Sequence, residues 1–459
     1  MFGCFSTSCT GRKFLLKFNI MANSNQNINN DGASGSRRDF LKSSILATTL
    51  PIIFDTTTLT HLSINNPEAK IVDPHMSTGK SIIGGYGNWA ASLVRKPQKL
   101  SFRNSKWTDL KKWKAAATDK VSELLARPEL GDIPVVTVEK KYEYNGLMIE
   151  ELSWQLPYGN PTKAVLLKPK GTEKVLPAIL ALHDHGGKKY FGYRKIVKTS
   201  DDQHPLLMEH QSTDYSGKAW ANEIAKQGYV VLVHDTFAFG SRRVLYEDVQ
   251  GLDYGDLDTT GKTDQDPELN ERVEAYNKWS SEHEHVMSKS LFSAGTTWPG
   301  VFLAEDQMAL SILSSRKDVD PKRIGCGGLS GGGLRTVYLA GVDPRIKCAV
   351  CVGFMSTWND FILNKSFTHT WMTYTPLLPN YMEFSEILGL RLPLPTLVQN
   401  NNQDELYTLA EMKKADEVLK EVYKKANAQD KYQAKFYDGE HKFDAQMQTD
   451  AFAWFDRWL

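Results

Sequence analysis

The chain has 459 residues, of which 41% are hydrophobic, 11% aromatic and 24% charged. This composition is typical of a globular protein with a large core, and it excludes a disordered chain, a fibrous chain and a small disulfide-stabilised protein. Lys and Arg number 55 against 54 Asp and Glu, a formal net charge of +1. Charge therefore gives no reason to expect nucleic acid or an anionic membrane as a partner.

The N-terminal residues have the pattern of an export signal. Arg37 and Arg38 are followed by a Phe-Leu pair and by the apolar stretch 45–54, which contains no acidic residue. The stretch is shorter than the ~20 residues that span a bilayer, so no stable membrane span is expected. This order resembles bacterial twin-arginine signals; the alternative is a chance Arg-Arg pair on a polar tail. We expect residues 1–55 to engage the twin-arginine export machinery and the mature protein to be periplasmic or extracellular.

The remaining chain predicts a mixed α/β fold. Apolar residues at helical spacing predict a helix over 107–125, and alternation predicts an antiparallel meander over 135–144, 147–155 and 163–168. After Pro177 the strands become short apolar runs, most of them followed by a helical stretch. These runs are Ala178–Leu182, Val230–Val233, Ile324–Gly328, Ile346–Val352, Pro395–Val398 and Tyr432–Phe436. Such alternation indicates a mostly parallel sheet with helices on both faces.

A long polar segment, residues 246–297, separates the second and third of these runs. Its length indicates an insertion over the carboxyl edge of the sheet and not a simple crossover. Trp279 and the following Trp298 either line a substrate pocket there or belong to the core. We predict a lead-in over residues 56–100 and one domain over 101–459 that contains the insertion.

The cysteines predict buried thiols and no disulfide framework. Cys348 and Cys351 have the spacing of a redox motif but lie in a predicted strand. At about 3.3 Å per residue their Cα atoms would be about 10 Å apart, which is beyond disulfide reach.

The segment Gly328-Leu-Ser-Gly-Gly332 is the most informative in the chain. It has the G-x-S-x-G pattern of a nucleophile elbow, in which a sharp strand-to-helix turn exposes a serine between small residues. Ser330 would be the nucleophile, and the N–H of Gly331 would point at a developing oxyanion. A phosphate-binding turn is the alternative, but the P-loop lysine and the G-x-G-x-x-G spacing are both missing.

A serine hydroxyl needs a base, and the base needs an orienting acid. His441 follows the last predicted strand and precedes the final helix, so it is the predicted base. Asp404 follows the preceding strand and is the predicted acid, although it also stands where it could cap a helix. Glu405, Asp438 and Glu440 are the alternative acids.

A second oxyanion donor is expected from the loop Leu182-His-Asp-His-Gly-Gly187, which follows the first parallel strand. The backbone N–H groups of His185 and Gly186 are the candidates. His183-x-His185 and His283-Glu-His285 could be read as metal ligands, but neither has further ligands at a suitable spacing. We therefore expect neither a metal nor a cofactor.

The order Ser330, Asp404, His441 together with the glycine-rich turn resembles the α/β-hydrolase fold. Residues 180–187 look like the oxyanion loop of dienelactone-hydrolase-like and acetyl-xylan-esterase-like enzymes, and the resemblance extends over about 135–459. Asp184 departs from it by replacing a usual glycine, and Asn401-Asn-Gln-Asp404 replaces the usual G-x-x-D before the acid. The segment Phe239-Gly-Ser-Arg242 also matches these enzymes. Arg242 would contact either substrate or Asp235.

The resemblance and the triad together predict a serine hydrolase that cleaves a carboxylic ester through an acyl-enzyme, with the acetyl ester of a plant-type polysaccharide or oligosaccharide as the expected substrate. An exported serine peptidase of the same fold is the nearest alternative. A non-catalytic carbohydrate-binding or scaffold protein is the alternative from another class.

Overall fold

A computed structural model describes residues 81–252, 254–255, 257–264 and 268–459. The expected twin-arginine signal, Cys4 and Cys9 lie outside the described residues. In the described part of the chain, no helix is both long enough and apolar enough to cross a membrane.

Nine strands of the described residues form one mixed sheet. They are β1 (Thr137–Tyr144), β2 (Leu147–Trp154), β3 (Thr162–Pro169), β4 (Leu176–Ala181), β5 (Val230–His234), β6 (Val319–Leu329), β7 (Cys348–Val352), β8 (Thr396–Asn401) and β9 (Tyr432–Tyr437). Their order across the sheet is β1-β2-β3-β5-β4-β6-β7-β8-β9. Strands β1 to β3 form the expected antiparallel meander, and β3 pairs antiparallel with β5. The six strands β4 to β9 are parallel to one another.

Helices cover both faces of this sheet. Those of six or more residues are α1 (Gly87–Ser92), α2 (Leu110–Leu125), α3 (Pro205–Tyr215), α4 (Trp220–Lys226), α5 (Asn270–Ser293), α6 (Trp298–Ser314), α7 (Gly331–Val342), α8 (Phe384–Gly389), α9 (Leu409–Lys425) and α10 (Ala445–Trp458). The predicted helix over 107–125 begins only at Leu110, because the Asp109 side chain caps it by accepting the N–H groups of Lys111 and Lys112.

Burial follows the position of each strand in the sheet. Strands β5 and β7 are buried along their whole length, as expected of central parallel strands covered on both sides. Strand β1 lies at one edge, is largely exposed and carries the charged residues Glu139, Lys140 and Lys141. Charges of this kind protect an edge strand from pairing with another chain. Two large apolar clusters, one on each face of the sheet, form the core.

The insertion contains the 24-residue helix α5. Trp279 packs on this helix against Tyr246 and Tyr276, with its ring only 2% exposed, and Trp298 is fully buried at the start of α6. Both tryptophans therefore belong to apolar clusters, which was the second of the two readings made from the sequence.

Residues 81–100, the described end of the lead-in, contact the domain through backbone and side-chain hydrogen bonds. Ile82 N–H donates to the Leu363 carbonyl (3.1 Å) and Leu100 N–H to the Tyr381 carbonyl (2.8 Å). The Gln98 amide donates to the buried Glu383 carboxylate at 2.9 Å.

The three described cysteines are free and buried, as predicted. Burial raises the pKa of the Cys326 thiol to about 12 and raises those of Cys348 and Cys351 as well. These thiols are therefore protonated and unreactive at neutral pH.

Candidate active site

Ser330 lies at the turn between β6 and α7, with φ 56° and ψ −118°. This positive φ is costly for a residue other than glycine, and such strain is typical of a nucleophile elbow. The turn tolerates no side chain at its flanks, since a Cβ on Gly328 or Gly332 would lie 2.1 Å from the Leu182 carbonyl oxygen. The Ser330 N–H donates to the Val352 carbonyl at 2.9 Å and so holds the turn against β7.

Asp404 follows β8 and His441 follows β9, and the two side chains contact each other. His441 Nδ1 lies 2.6 Å from Asp404 Oδ2, and the Asp404 side chain is fully buried. Asp404 Oδ1 accepts the Leu406 N–H at 2.9 Å, so the carboxylate also closes the turn that leads to α9. The alternative acids Glu405, Asp438 and Glu440 are exposed.

Gly353 brings the histidine next to the nucleophile turn. A Cβ at this position, where φ is +59°, would lie 2.8 Å from His441 Cε1 and 3.1 Å from a methyl carbon of Leu329. The ring therefore packs directly on the backbone that follows the Ser330 hydrogen-bond partner, Val352. His441 Nε2 is buried and has no hydrogen-bond partner among the described residues. With Nδ1–H donated to a carboxylate, Nε2 carries the lone pair that can accept a proton.

Of the two oxyanion donors predicted in the loop after β4, the His185 N–H lies beside the serine turn. A Cβ on Gly331 would lie 2.8 Å from the backbone nitrogen of His185, so this N–H is beside the first residue of α7. Gly186 faces the other way: its φ is +53°, and a Cβ there would lie 2.5 Å from Asp184 Oδ2 and 2.8 Å from His210 Cε1. The His185 N–H therefore lies beside the serine turn, whereas the atoms nearest to a Cβ on Gly186 belong to Asp184 and His210.

Asp184 is the buried anchor of this loop. Its Oδ1 accepts hydrogen bonds from the Tyr215 hydroxyl and from His210 Nε2 (3.2 Å), and its Oδ2 lies 3.4 Å from Lys195 Nζ. Although burial opposes its charge, Lys195 and His210 hold the pKa of Asp184 well below its usual range. The residue that departs from the family pattern therefore ties the loop to α3.

The insertion reaches the same loop from the opposite side. Glu284 of α5 accepts a hydrogen bond from His185 Nε2 at 2.7 Å and forms an ion pair with the fully buried Lys189. Its other oxygen accepts the Trp371 N–H at 3.1 Å. Burial lowers the pKa of His185, and Lys189 adds to this effect. The neutral ring then donates from Nε2 and accepts the Gly187 N–H at Nδ1.

Arg242 does not form the salt bridge with Asp235 that was one of the two contacts weighed from the sequence. Its guanidinium pairs with Glu305 at 2.8 Å and donates to the carbonyls of Tyr158 and Asn160. Asp235 instead accepts the backbone N–H groups of Tyr193 and Ser241. The expected Arg242–Asp235 salt bridge is wrong, because the carboxylate satisfies nearby backbone donors.

Sequence reasoning missed Lys189, Lys195 and His210, and considered Glu284 only as part of a metal motif. Lysine is ordinarily exposed, and nothing in the local pattern marks these two as buried. Among the described residues, no group of three or more His, Cys, Asp and Glu side chains is arranged to hold a metal ion.

Known proteins resemble this chain over most of its length. The prolyl oligopeptidase family model matches residues 286–459. A protein of Bacillus subtilis (strain 168), YtaP, carries a provisional description as a hydrolase; it is 27% identical over 341 residues, which cover 72% of this chain and 96% of YtaP.

Solved structures also resemble this chain, over about three quarters of its length. One from Bacteroides fragilis, provisionally described as an acetyl xylan esterase, has a TM-score of 0.56 and 17% identity and covers 76% of this chain and 81% of its own. A glucuronoyl esterase from Solibacter usitatus has a TM-score of 0.51 and 14% identity, with coverage of 76% and 93%. At such identities the similarity establishes the fold alone.

The fold is that of the α/β-hydrolases. The prediction from the sequence is confirmed, including the mostly parallel sheet with helices on both faces. In an α/β-hydrolase the nucleophile, acid and base occur along the chain in the order serine, acid, histidine. Here Ser330 follows β6, Asp404 follows β8 and His441 follows β9.

Proposed function

We propose that this α/β-hydrolase is a serine hydrolase that cleaves a carboxylic ester through an acyl-enzyme intermediate. The observation that carries the proposal is the 2.6 Å contact between His441 Nδ1 and Asp404, which leaves His441 Nε2 unpartnered among the described residues. The strained Ser330 turn adjoins that ring through Gly353.

In the proposed reaction His441 takes the Ser330 proton as the hydroxyl oxygen attacks the ester carbonyl. Asp404 stabilises the imidazolium that forms, and the N–H groups of Gly331 and His185 bind the oxyanion. His441 then returns the proton to the leaving alcohol. Water, deprotonated by the same ring, hydrolyses the acyl-enzyme and restores Ser330.

The proposed substrate is an acetyl ester of a plant-type polysaccharide or oligosaccharide. The fold shared with carbohydrate esterases supports it by analogy. A panel of acetylated glycans, with acetate release as the readout, tests it. If acetate is released from simple aryl acetates but from no glycan, the proposed esterase activity stands and the proposed glycan substrate is contradicted.

An exported peptidase is the second candidate, because the family model that matches residues 286–459 is that of the prolyl oligopeptidases. Turnover of aryl acetates against aminoacyl amides separates the two. The esterase proposal expects the acetates to be the better substrates by at least about 100-fold in kcat/KM, a difference of about 3 kcal/mol.

Fluorophosphonate labelling tests the nucleophile. We expect the wild type to be labelled and Ser330→Ala to be unlabelled, with kcat/KM for an aryl acetate reduced at least about 10⁴-fold. Ser293→Ala, at an exposed position on α5, is the matched control and should label as the wild type does. Equal labelling of wild type and Ser330→Ala would contradict Ser330 as the nucleophile. No labelling of either would contradict it as well and would favour the non-catalytic alternative.

We further propose that Arg37 and Arg38 direct export. The reporter is a fusion of residues 1–100 to a folded fluorescent protein in a bacterium with twin-arginine transport. Changing both arginines to lysine should retain the reporter in the cytoplasm. Unchanged export would contradict the twin-arginine signal.

A further inference from the structure

Lys195 lies behind the oxyanion loop and has no exposed surface. It ends a short helical turn, Tyr193–Lys195, and its side chain enters the loop that carries His185. The ammonium Nζ donates to the carbonyl oxygen of Asp184 and, at 3.0 Å, to that of His185. It is thus bound to backbone carbonyls of the loop as well as to a carboxylate.

Burial of an ammonium group is costly and calls for a physical reason. Neutralising Asp184 does not require Lys195, because His210 already lies 3.1 Å from that carboxylate. Asp184 and Asp214 raise the pKa of His210 to about 9 against the effect of burial, so this ring is charged at neutral pH. The position of Nζ on the Asp184 carbonyl is what distinguishes Lys195.

That carbonyl belongs to the same peptide unit as the N–H of His185. We propose that the Lys195 ammonium polarises the Asp184–His185 peptide and thereby makes the His185 N–H a stronger donor to the oxyanion formed at Ser330. A cation on the oxygen of an amide draws electron density from its nitrogen, which increases the positive charge on the N–H. The inference rests on the proposed function, since it concerns the same oxyanion.

The effect is selective for the transition state. A neutral ester carbonyl gains little from a more positive N–H, whereas a full negative charge gains much more in a site shielded from water. Loss of the ammonium should therefore lower kcat and leave KM nearly unchanged. Lys195 is a positioning residue by this account, because it acts through the peptide and does not touch the substrate.

The charge of Lys195 should also be visible in the pH profile. Burial, with Lys189 and Arg335, lowers the pKa of Lys195 to about 8, although Asp184 opposes the shift. The ammonium is present below this pH and lost above it, so kcat should fall as pH rises through about 8.

Four of the other groups facing Lys195 keep their charge states near pH 8. Burial lowers the pKa of His183 and of His185 and raises that of Tyr215, so all three are neutral near pH 8. Asp184 stays ionised. The pKa of His210 is raised to about 9, so its ring loses its charge over the same alkaline range, and burial lowers the pKa of Lys189 against the effect of Glu284.

Lys195→Met tests the inference, since methionine keeps the length of the side chain and removes the charge. With 4-nitrophenyl acetate we expect kcat to fall about 10- to 100-fold with KM changed less than about threefold. Affinity for a trifluoromethyl ketone, which forms an alkoxide in the oxyanion site, should fall by the same factor as kcat. The fall in kcat near pH 8 should disappear. Lys188→Met, at a half-buried neighbour in the same segment, is the control and should change none of these.

A double variant separates polarisation from folding. Lys195→Met with Asp184→Asn removes both buried charges of the pair; it should be more thermally stable than Lys195→Met, while its kcat stays below that of Asp184→Asn alone. If the double variant recovers both thermal stability and kcat, the inference is overturned and Lys195 has only a structural role. A folded Lys195→Met with wild-type kcat and pH profile would overturn it as well. A wild type that fluorophosphonate does not label would overturn the proposed function, and the inference with it.

Discussion

Asp404 shows how one side chain serves the fold and the site together. One oxygen contacts His441 and the other accepts the Leu406 N–H in the turn before α9. The two contacts use different oxygens of the carboxylate. Asp404 does not cap the helix, because α9 begins at Leu409 with Thr408 at its N-cap position, and the backbone contact of Asp404 closes the preceding turn. The hydrogen bond in the turn holds the carboxylate in the orientation that His441 requires.

Asp404→Asn should retain the fold and lose activity. An amide can accept the Leu406 N–H, but it cannot stabilise the imidazolium or hold the ring in the tautomer that leaves Nε2 free. We expect kcat for an aryl acetate to fall by about 10³- to 10⁴-fold with little change in melting temperature. Glu405→Gln, at the exposed neighbour, should remain within about twofold of the wild type. A larger loss in Glu405→Gln than in Asp404→Asn would show that the wrong acid has been assigned.

At the scale of elements, helix α5 is linked to the loop after β4. These segments are far apart in the chain, yet Glu284 contacts both the ring of His185 and the buried ammonium of Lys189. Burial by itself would raise the pKa of the Glu284 carboxyl. The combined effect of His185 and Lys189 is larger, so the pKa lies below its usual range. The insertion therefore supports the candidate oxyanion loop.

Glu284→Gln should weaken this link. It leaves the Lys189 ammonium without its carboxylate in a fully buried position, so we expect the free energy of unfolding to fall by about 3 kcal/mol. The kcat for an aryl acetate should fall about tenfold, since the loop loses one of its two supports. Denaturant unfolding and steady-state kinetics measure both. Glu282→Gln, on the exposed face of α5, is the control; an equal effect there would contradict the role of Glu284.

At the scale of the whole molecule, His210 connects two ends of the site. Its ring contacts Asp184 in the oxyanion loop and Asp214 at 2.7 Å on its own helix. The Asp214 carbonyl accepts the N–H of Phe443, two residues beyond His441. The ring thus binds the oxyanion loop to α3, and the backbone of α3 binds the segment that follows His441.

Protonation of His210 should make stability depend on pH. The two carboxylates raise its pKa from an unfolded value near 6.5 to about 9 in the fold, despite burial. The stabilisation of up to about 3 kcal/mol is complete below pH 6.5 and is lost as pH rises through 9. We expect His210→Gln to lower the free energy of unfolding at pH 6 and to have little effect at pH 9.5. His285→Gln, at an exposed site, should show no such difference, and a loss for His210→Gln that is equal at both pH values would contradict this account.

The sequence predicted the strands, their mixed directions and the elbow because these depend on local patterns. Central strands are continuous apolar runs, and the glycines around Ser330 mark a turn without room for side chains. The order of β5 and β4 in the sheet and the partner of Arg242 were not predictable in this way. Both depend on which groups the chain brings together over long separations.

The near-neutral composition provided no reason to expect a partner recognised by charge, and the order of Ser330, Asp404 and His441 indicated a hydrolase; the sequence by itself determined that much. Only the tertiary structure decided that Lys189, Lys195 and His210 are buried and that their pKa values are shifted. The physical reason is that the cost of burying a charge depends on its partners in space, such as Glu284 for Lys189 and Asp184 for Lys195 and His210. Those partners come from distant segments of the chain, so no local pattern records them.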